Sequence, residues 1–334
     1  LKFHKTSAPV RYLSHFSMYY LFIFLLLLCA ELIYFRIADR FNIIDKPSAR
    51  GSHTRITLRG GGIVFYFGVL LYFFTHHFEY PWFVLALTLI AGISFIDDIR
   101  SVSQKVRLIF HFTAMLLLFY QWGIASLPWW YIPVALIVCT GIINAYNFMD
   151  GINGITGGYS LVILGCLTYI NEFRITFIES QFLWIILLAV TVFNIFNFRN
   201  KAKCFAGDIG SVSIAFIILF LLGKLIILTQ DTSYIILLSV YGVDSILTII
   251  HRLILHENIG LPHRKHLYQL MANELKIPHT AVAGCYMLLQ VCIFAGYIVF
   301  YNYRFWYLGA IILILCCGYI GFMKKYFHLH INKH

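Results

Sequence analysis

Charge is scarce in this chain. Of 334 residues only 12% are Asp, Glu, Lys or Arg, while hydrophobic residues make up 60%, against roughly 45–50% in soluble domains. That balance excludes a soluble globular domain. Cysteine pairs are missing too: the 8 cysteines form no Cys-x-x-Cys and mostly lie within apolar runs. This argues against disulfides or a zinc centre and for small buried hydrophobes. No soluble domain and no internal repeat interrupts the chain. The first apolar run, residues 18–35, exceeds a signal-peptide core and has no small-residue cleavage site after it, so it is read as a retained span.

What the chain has in abundance is membrane-compatible sequence, including 31 Phe and 22 Tyr. A spanning helix needs about 20 mostly apolar residues. Eleven candidates run near 18–38, 61–78, 80–96, 107–121, 130–146, 156–171, 182–198, 211–229, 233–250, 282–301 and 305–322. The fifth is interrupted by Pro128 and Pro133. The expectation is an all-α, polytopic bundle of 10–11 transmembrane helices forming one domain, with a motif-bearing core over 40–270 and C-terminal helices over 282–322. The net charge of +11 first suggests nucleic acid, but its distribution points elsewhere. With the N-terminus outside, the loops 39–60, 97–106, 144–155, 199–210 and 251–281 and the C-terminal tail share one side. Counting Arg36 and Arg107 at the span ends, that side carries 19 of the 25 Lys and Arg, so it is assigned to the cytoplasm. No nucleic-acid partner is expected.

The same loops collect the polar chemistry. Residues 144–158, NAYNFMDGINGITGG, form a glycine-punctuated stretch that cannot face lipid with unpaired backbone groups. Its glycines 151, 154, 157 and 158 suit tight turns and backbone donors close to a ligand. Asn147, Asp150 and Asn153 add a carboxylate and two amides. Asp97-Asp98 ends the third span, where adjacent carboxylates oppose the helix dipole and need a cation or a nearby base among Arg100, Lys105 and Arg107. Asp208, in Phe-Ala-Gly-Asp-Ile-Gly-Ser, opens a span and is either an N-cap or a further carboxylate for a hard cation. Pro262-His263-Arg264-Lys265-His266 spaces two histidines three apart around basic residues, which favours an anion over zinc. Arg59 leads a triple glycine, a helix entry suited to phosphate. Asp244, inside an apolar run with Arg252 two turns on, has to face the bundle or a cavity.

In this order, over roughly 40–270, these segments resemble the polyprenyl-phosphate N-acetylhexosamine-1-phosphate transferases. The resemblance implies transfer of N-acetylhexosamine-1-phosphate from a UDP-sugar to a polyprenyl phosphate with release of UMP. It also implies a bacterial inner (plasma) membrane location, with the active site and C-terminus cytoplasmic and the N-terminus outside. The implied cofactor is Mg²⁺, with Mn²⁺ able to substitute, and relatives of this type include homodimers. By the same resemblance Asp97, Asp98 and Asp150 are expected to be catalytic, and Asp208 with Asn147 to hold the metal. Asn147, Asn153, Phe205, Arg107, Arg59, His263, Arg264 and His266 are expected to bind substrate, with Phe205 stacking on uracil. Asn153 stands where many members carry a second Asp, and His111 replaces a frequent Gln. The His-Arg-Lys-His loop differs from the three-histidine run of the muramoyl-pentapeptide enzymes and favours a plain UDP-HexNAc donor. The rival readings are that muramoyl-pentapeptide transferase and, from another class, a secondary transporter.

Overall fold

The computed structural model describes residues 8–45, 56–124, 128–259 and 263–331, with side chains described for 18–45, 56–124, 128–259 and 263–329. The apolar runs become α1 (Ala8–Arg40), α2 (Ile63–Thr75), α3 (Pro81–Ile99), α4 (Gln104–Trp122), α5 (Tyr131–Met149), α6 (Ile155–Phe173), α7 (Ser180–Asn197), α8 (Gly207–Thr229) and α9 (Ser239–Ile254). A short turn, α10 (Leu267–Gln269), precedes α11 (His279–Val299) and α12 (Arg304–Tyr326). Every expected span has a helix, and 8 helices among the described residues are long and apolar enough to cross a membrane. The chain is an all-α, polytopic membrane protein.

Three of the eleven expected spans, α2, α4 and α6, fall outside these eight, α2 because of its length. α2 has only 13 residues, about 20 Å at 1.5 Å per residue, which is short of the hydrocarbon thickness. It is cut off by left-handed backbone at His77, Phe78 and Tyr80. The prolines around α5 do not break it. Pro128 precedes the helix and Pro133 sits in its first turn, where no intrahelical N–H is required.

α8 is the centre of the bundle. Of the eight spanning helices it is the most buried, and Tyr301–Tyr326 is the least. Its residues Val212 through Leu222 are all buried, the pattern of a helix surrounded by other helices. α3 packs along it through stacked rings, with Phe83 and Phe220 centroids 4.0 Å apart. Among the described residues only two short strands interrupt the helices: Ile44–Asp45 pairs antiparallel with Thr57–Leu58, and Leu58 bridges to Cys204. This patch ties the α1–α2 segment to the approach to α8.

The glycines serve this packing. A Cβ at Gly62 would lie 2.3 Å from the Gly210 Cα, and one at Gly61 would lie 2.6 Å from the Cys204 Sγ. The Gly61 and Gly62 N–H groups donate to the carbonyls of Phe205 (2.9 Å) and Ala206 (3.1 Å). Two donors of this glycine run, at Gly61 and Gly62, are therefore committed to the loop before α8. Residues 151–158 are packed as closely. A Cβ would meet Tyr268 at Gly151, Phe198 at Gly154, Asn194 at Gly157 and Met287 at Gly158, each within 2.6 Å. These glycines let helices and rings approach, and the Gly151, Gly154 and Gly158 N–H groups donate to Met149, Asn197 and Gly154. Of the cysteines, which are all free, only Cys139, Cys166 and Cys204 are buried, so the expectation of small buried hydrophobes holds for three of them.

Gly62→Val is expected to lower the melting temperature of the detergent-solubilised protein, because backbone on the far side cannot yield, at about 1–3 kcal/mol. Gly309→Ala, which meets nothing within 4 Å, should leave the melting temperature within error.

Candidate active site

Four helix ends and the segment before α2 bring their polar side chains together at one end of the bundle. Asp97 and Asp98 lie in the last turn of α3 and Arg107 in the first turn of α4. Asn147 lies in the last turn of α5, and Asp208 in the first turn of α8. Arg59 reaches in from the segment before α2.

Asp98 is the buried hub. Its Oδ1 accepts from the Asp208 N–H at 2.8 Å and its Oδ2 from the Ile209 N–H at 3.0 Å. Arg59 Nε approaches Oδ1 at 2.8 Å, and the Asp98 side chain has no solvent exposure. A carboxylate at a helix N-terminus satisfies amides that lack intrahelical partners and meets the positive end of the dipole. The capping of α8 thus comes from α3. Asp208, weighed from sequence as an N-cap, is instead inside the first turn, and the N-cap position belongs to Ala206.

That arrangement leaves the Asp208 carboxylate directed outward between two guanidinium groups. Arg59 Nη2 lies 3.5 Å from its Oδ1 and Arg107 Nη2 lies 3.9 Å from its Oδ2, with 18% of the side chain exposed. Arg107 is shared, since its Nη1 also pairs with Asp97 Oδ2 at 2.8 Å. Asp97 Oδ1 accepts from the Val102 N–H at 2.6 Å, which closes the α3–α4 turn. The aspartate pair therefore uses Arg59 and Arg107 as partners, with Arg59 coming from a distant segment.

Beside this cluster lies a cavity of about 540 Å³ lined by Arg107, His111, Asn144, Asn147, His263 and His266, among others. Asn147 Oδ1 accepts from the Ser211 hydroxyl at 3.3 Å, which ties α5 to α8. Burial pushes the His263 imidazole down to about 3, and the neighbouring His266 and Arg252 add to the effect. His263 is accordingly neutral near pH 7. Burial likewise pushes the Asp150 carboxyl up to about 7, and the charge of Asp208 acts in the same direction.

Other expected site residues are placed differently. The Asn153 amide is buried and donates to the carbonyls of Arg199 (3.0 Å) and Asn200 (3.3 Å), so it joins two loops. Phe205 contributes backbone hydrogen bonds to Leu58 and Gly61. Neither Phe205, Asn153 nor Arg264 lines the cavity, whereas His263 and His266 do. Residues 46–55 of the basic entry segment and Pro262 lie outside the described residues.

One contributor was not assigned a role from sequence. Asp244 was matched only with Arg252, two turns on. Arg252 instead holds the following loop, through Glu257 and the carbonyls of Asn258 and Ile259. Asp244 meets His266 Nδ1 at 3.3 Å and the Tyr286 hydroxyl at 2.7 Å. The signal was present: an ionisable residue within a span seeks a partner.

Among the described residues no three His, Cys, Asp or Glu side chains gather as a preformed metal cage. The donor set still fits a magnesium-type ion, which takes one or two carboxylates and completes its shell with water and substrate oxygens. Asp208, partly exposed and next to Asn147 through Ser211, supplies that kind of hard oxygen ligand.

Comparison with known proteins agrees with the motif reading. Residues 80–226 match the model of glycosyl transferase family 4. The chain is 26% identical to a probable undecaprenyl-phosphate N-acetylglucosaminyl 1-phosphate transferase of Bacillus subtilis (strain 168), over 71% of this chain and 72% of that protein. It is 28% identical to an undecaprenyl-phosphate alpha-N-acetylglucosaminyl 1-phosphate transferase of Yersinia pestis, over 65% of this chain and 62% of the relative. A transferase of the same name from Escherichia coli (strain K12) is 26% identical over 56% of each chain. The matched part thus spans less than two thirds of the last two relatives. The family resemblance drawn from the motifs is borne out.

Loss of the hub should outweigh loss of its less deeply buried neighbour. Asp98→Ala leaves two amides at the start of α8 unpaired and Arg59 paired with Asp208, and is expected to cost ~2–4 kcal/mol. Asp97→Ala, at the more open pair, should cost ~1 kcal/mol or less. Denaturant titration of both variants in detergent provides the comparison.

Proposed function

We propose that this relative of glycosyl transferase family 4 transfers N-acetylhexosamine-1-phosphate from a UDP-sugar, UDP-GlcNAc foremost, to a polyprenyl phosphate and releases UMP. The observation that carries this reading is a pair of adjoining spaces. The polar cavity beside Arg107 and Asp208 abuts a second, apolar groove of about 550 Å³ between α5, α9 and α12. Asn144 and Phe148 line both. A water-soluble diphosphate and an isoprenoid tail need these two environments side by side. A transporter has no use for the acidic and basic groups gathered at a single end. The names of the relatives favour the N-acetylglucosaminyl donor over the muramoyl-pentapeptide nucleotide.

The mechanism follows from what the residues can do. An oxygen of the lipid phosphate attacks the β-phosphorus of the UDP-sugar, and the bond to UMP breaks. Arg107 and Arg59 offer donors for non-bridging oxygens, which accumulate charge during transfer. Asp208, with Asn147, would hold Mg²⁺, which when bound neutralises diphosphate charge. Asp97 positions Arg107, and Asp98 positions both Arg59 and the first turn of α8. Asp150 would accept the last proton of the lipid phosphate. The positive-inside count supports a cytoplasmic site.

Transfer of radiolabel from UDP-GlcNAc to undecaprenyl phosphate, with UMP measured, tests the reading. Asp208→Asn should lose at least ~100-fold in rate, a barrier increase of about 2.7 kcal/mol. Unchanged turnover in that variant would reject the assignment. The groove makes a separate claim. Gly242 lines it and faces open space, so Gly242→Leu is expected to raise KM for the lipid roughly tenfold while KM for the UDP-sugar stays constant.

The acid limb of the rate profile gives a further check. Asp150 is neutral below about 7 and ionised above it, so a base role requires the rate to fall as pH drops through that value. Asp150→Asn should flatten this limb as well as lower the plateau.

A further inference from the structure

The buried carboxylate of α9 and the histidine loop share a geometry that the transfer reading alone does not use. Asp244 is 4% exposed and His266 is 1% exposed. Asp244 Oδ1 faces His266 Nδ1 at 3.3 Å, and it also accepts from the Leu267 N–H at 3.1 Å and from the Thr248 hydroxyl at 3.2 Å. Its Oδ2 accepts from Tyr286 at 2.7 Å. Thr248 is in turn held by the Tyr319 hydroxyl at 2.9 Å. The carboxylate is thus fixed by α9, α11, α12 and the start of α10.

An ionised carboxylate is only an acceptor, so the ring nitrogen facing it has to carry the proton. That leaves Nε2 as the working atom of His266. Nε2 is buried and has no partner within the protein, and His266 lines the polar cavity. A buried polar atom without a partner is destabilising unless something meets it. The Phe148 ring, with its centroid 6.3 Å from that of His266, borders both the cavity and the groove. Nε2 is therefore held near the place where the two spaces join.

We propose that Asp244 is a positioning residue that locks His266 as the Nδ1-protonated form and presents the Nε2 lone pair, an acceptor, to a protonated phosphate oxygen (P–OH) of the bound substrates. The inference rests on the transferase reading for the identity of that phosphate. The dyad itself is a statement about one proton and one ring orientation. Asp244 has no access to the cavity and touches no substrate; it acts through the imidazole.

Three variants in full-length, detergent-purified protein test this. Asp244→Leu removes the acceptor and is expected to lower turnover on the order of 10–100-fold, the loss typical of an orienting partner. Asp244→Asn keeps an oxygen toward Nδ1 and should recover a substantial part of the rate. His266→Gln should lose as much as Asp244→Leu, and the double variant should be no worse than the poorer single one, since residues acting as a unit are not additive. Additive losses, or an Asn variant as poor as Leu, would overturn the dyad. Nitrogen-15 NMR of labelled histidines, with the His266 signal identified from His266→Gln, reads the proton directly. It should sit on Nδ1 in wild type and Asp244→Asn and move or average in Asp244→Leu. A wild type protonated on Nε2 alone would refute the proposal. This spectrum decides the dyad even if no UDP-sugar yields UMP, an outcome that would count against the transferase reading instead.

Discussion

The Asp98 carboxylate is the contact on which the rest of the site depends. A single buried group satisfies the first amides of α8 and neutralises Arg59. Without it, the central helix would begin with unpaired N–H groups in a low-dielectric surrounding, where each costs several kcal/mol. With it, the ends of α3 and α8 and the Arg59 segment are held in register. Asp208 then projects outward between two guanidinium groups because the backbone beneath it is already satisfied.

Close backbone contact does the complementary work. Gly62 and Gly210 let the start of α2 touch the start of α8, and Gly61 and Gly62 donate to the loop that leads into that helix. In lipid, where apolar side chains gain little from meeting each other, small residues and interhelical hydrogen bonds carry much of the association. The buried Asn197 shows the same principle: its Oδ1 accepts from the Gly154 N–H and its Nδ2 donates to the Cys204 carbonyl, both at 2.8 Å. The floor of the site is built from amide and glycine contacts between loops.

Much of this was legible in the sequence. Apolar length set the helices, because lipid enforces a direct link between run length and span. The gathering of Asp97, Asp98, Asp208, Arg59 and Arg107 was legible because charges at span ends have few places to go but one face of the bundle. What stayed hidden was how each polar group divides between site and scaffold. Asn153 and the glycines of 151–158 look like ligand chemistry in one dimension. Only the neighbouring rings and carbonyls, drawn from residues 193–200, 268 and 287, identify them as packing elements. Asp244 was the reverse case. Its partner His266 is 22 positions away, across a loop whose path no periodicity predicts.

The wall shared by the two spaces has a directional consequence. Asn144 and Phe148 bound a watery chamber on one side and an oily channel on the other. On the transferase reading, the nucleotide enters and UMP departs through the aqueous mouth, while the isoprenoid never leaves its leaflet. On that same reading the glycolipid would form on the face from which its sugar came, with its tail in the leaflet it never left.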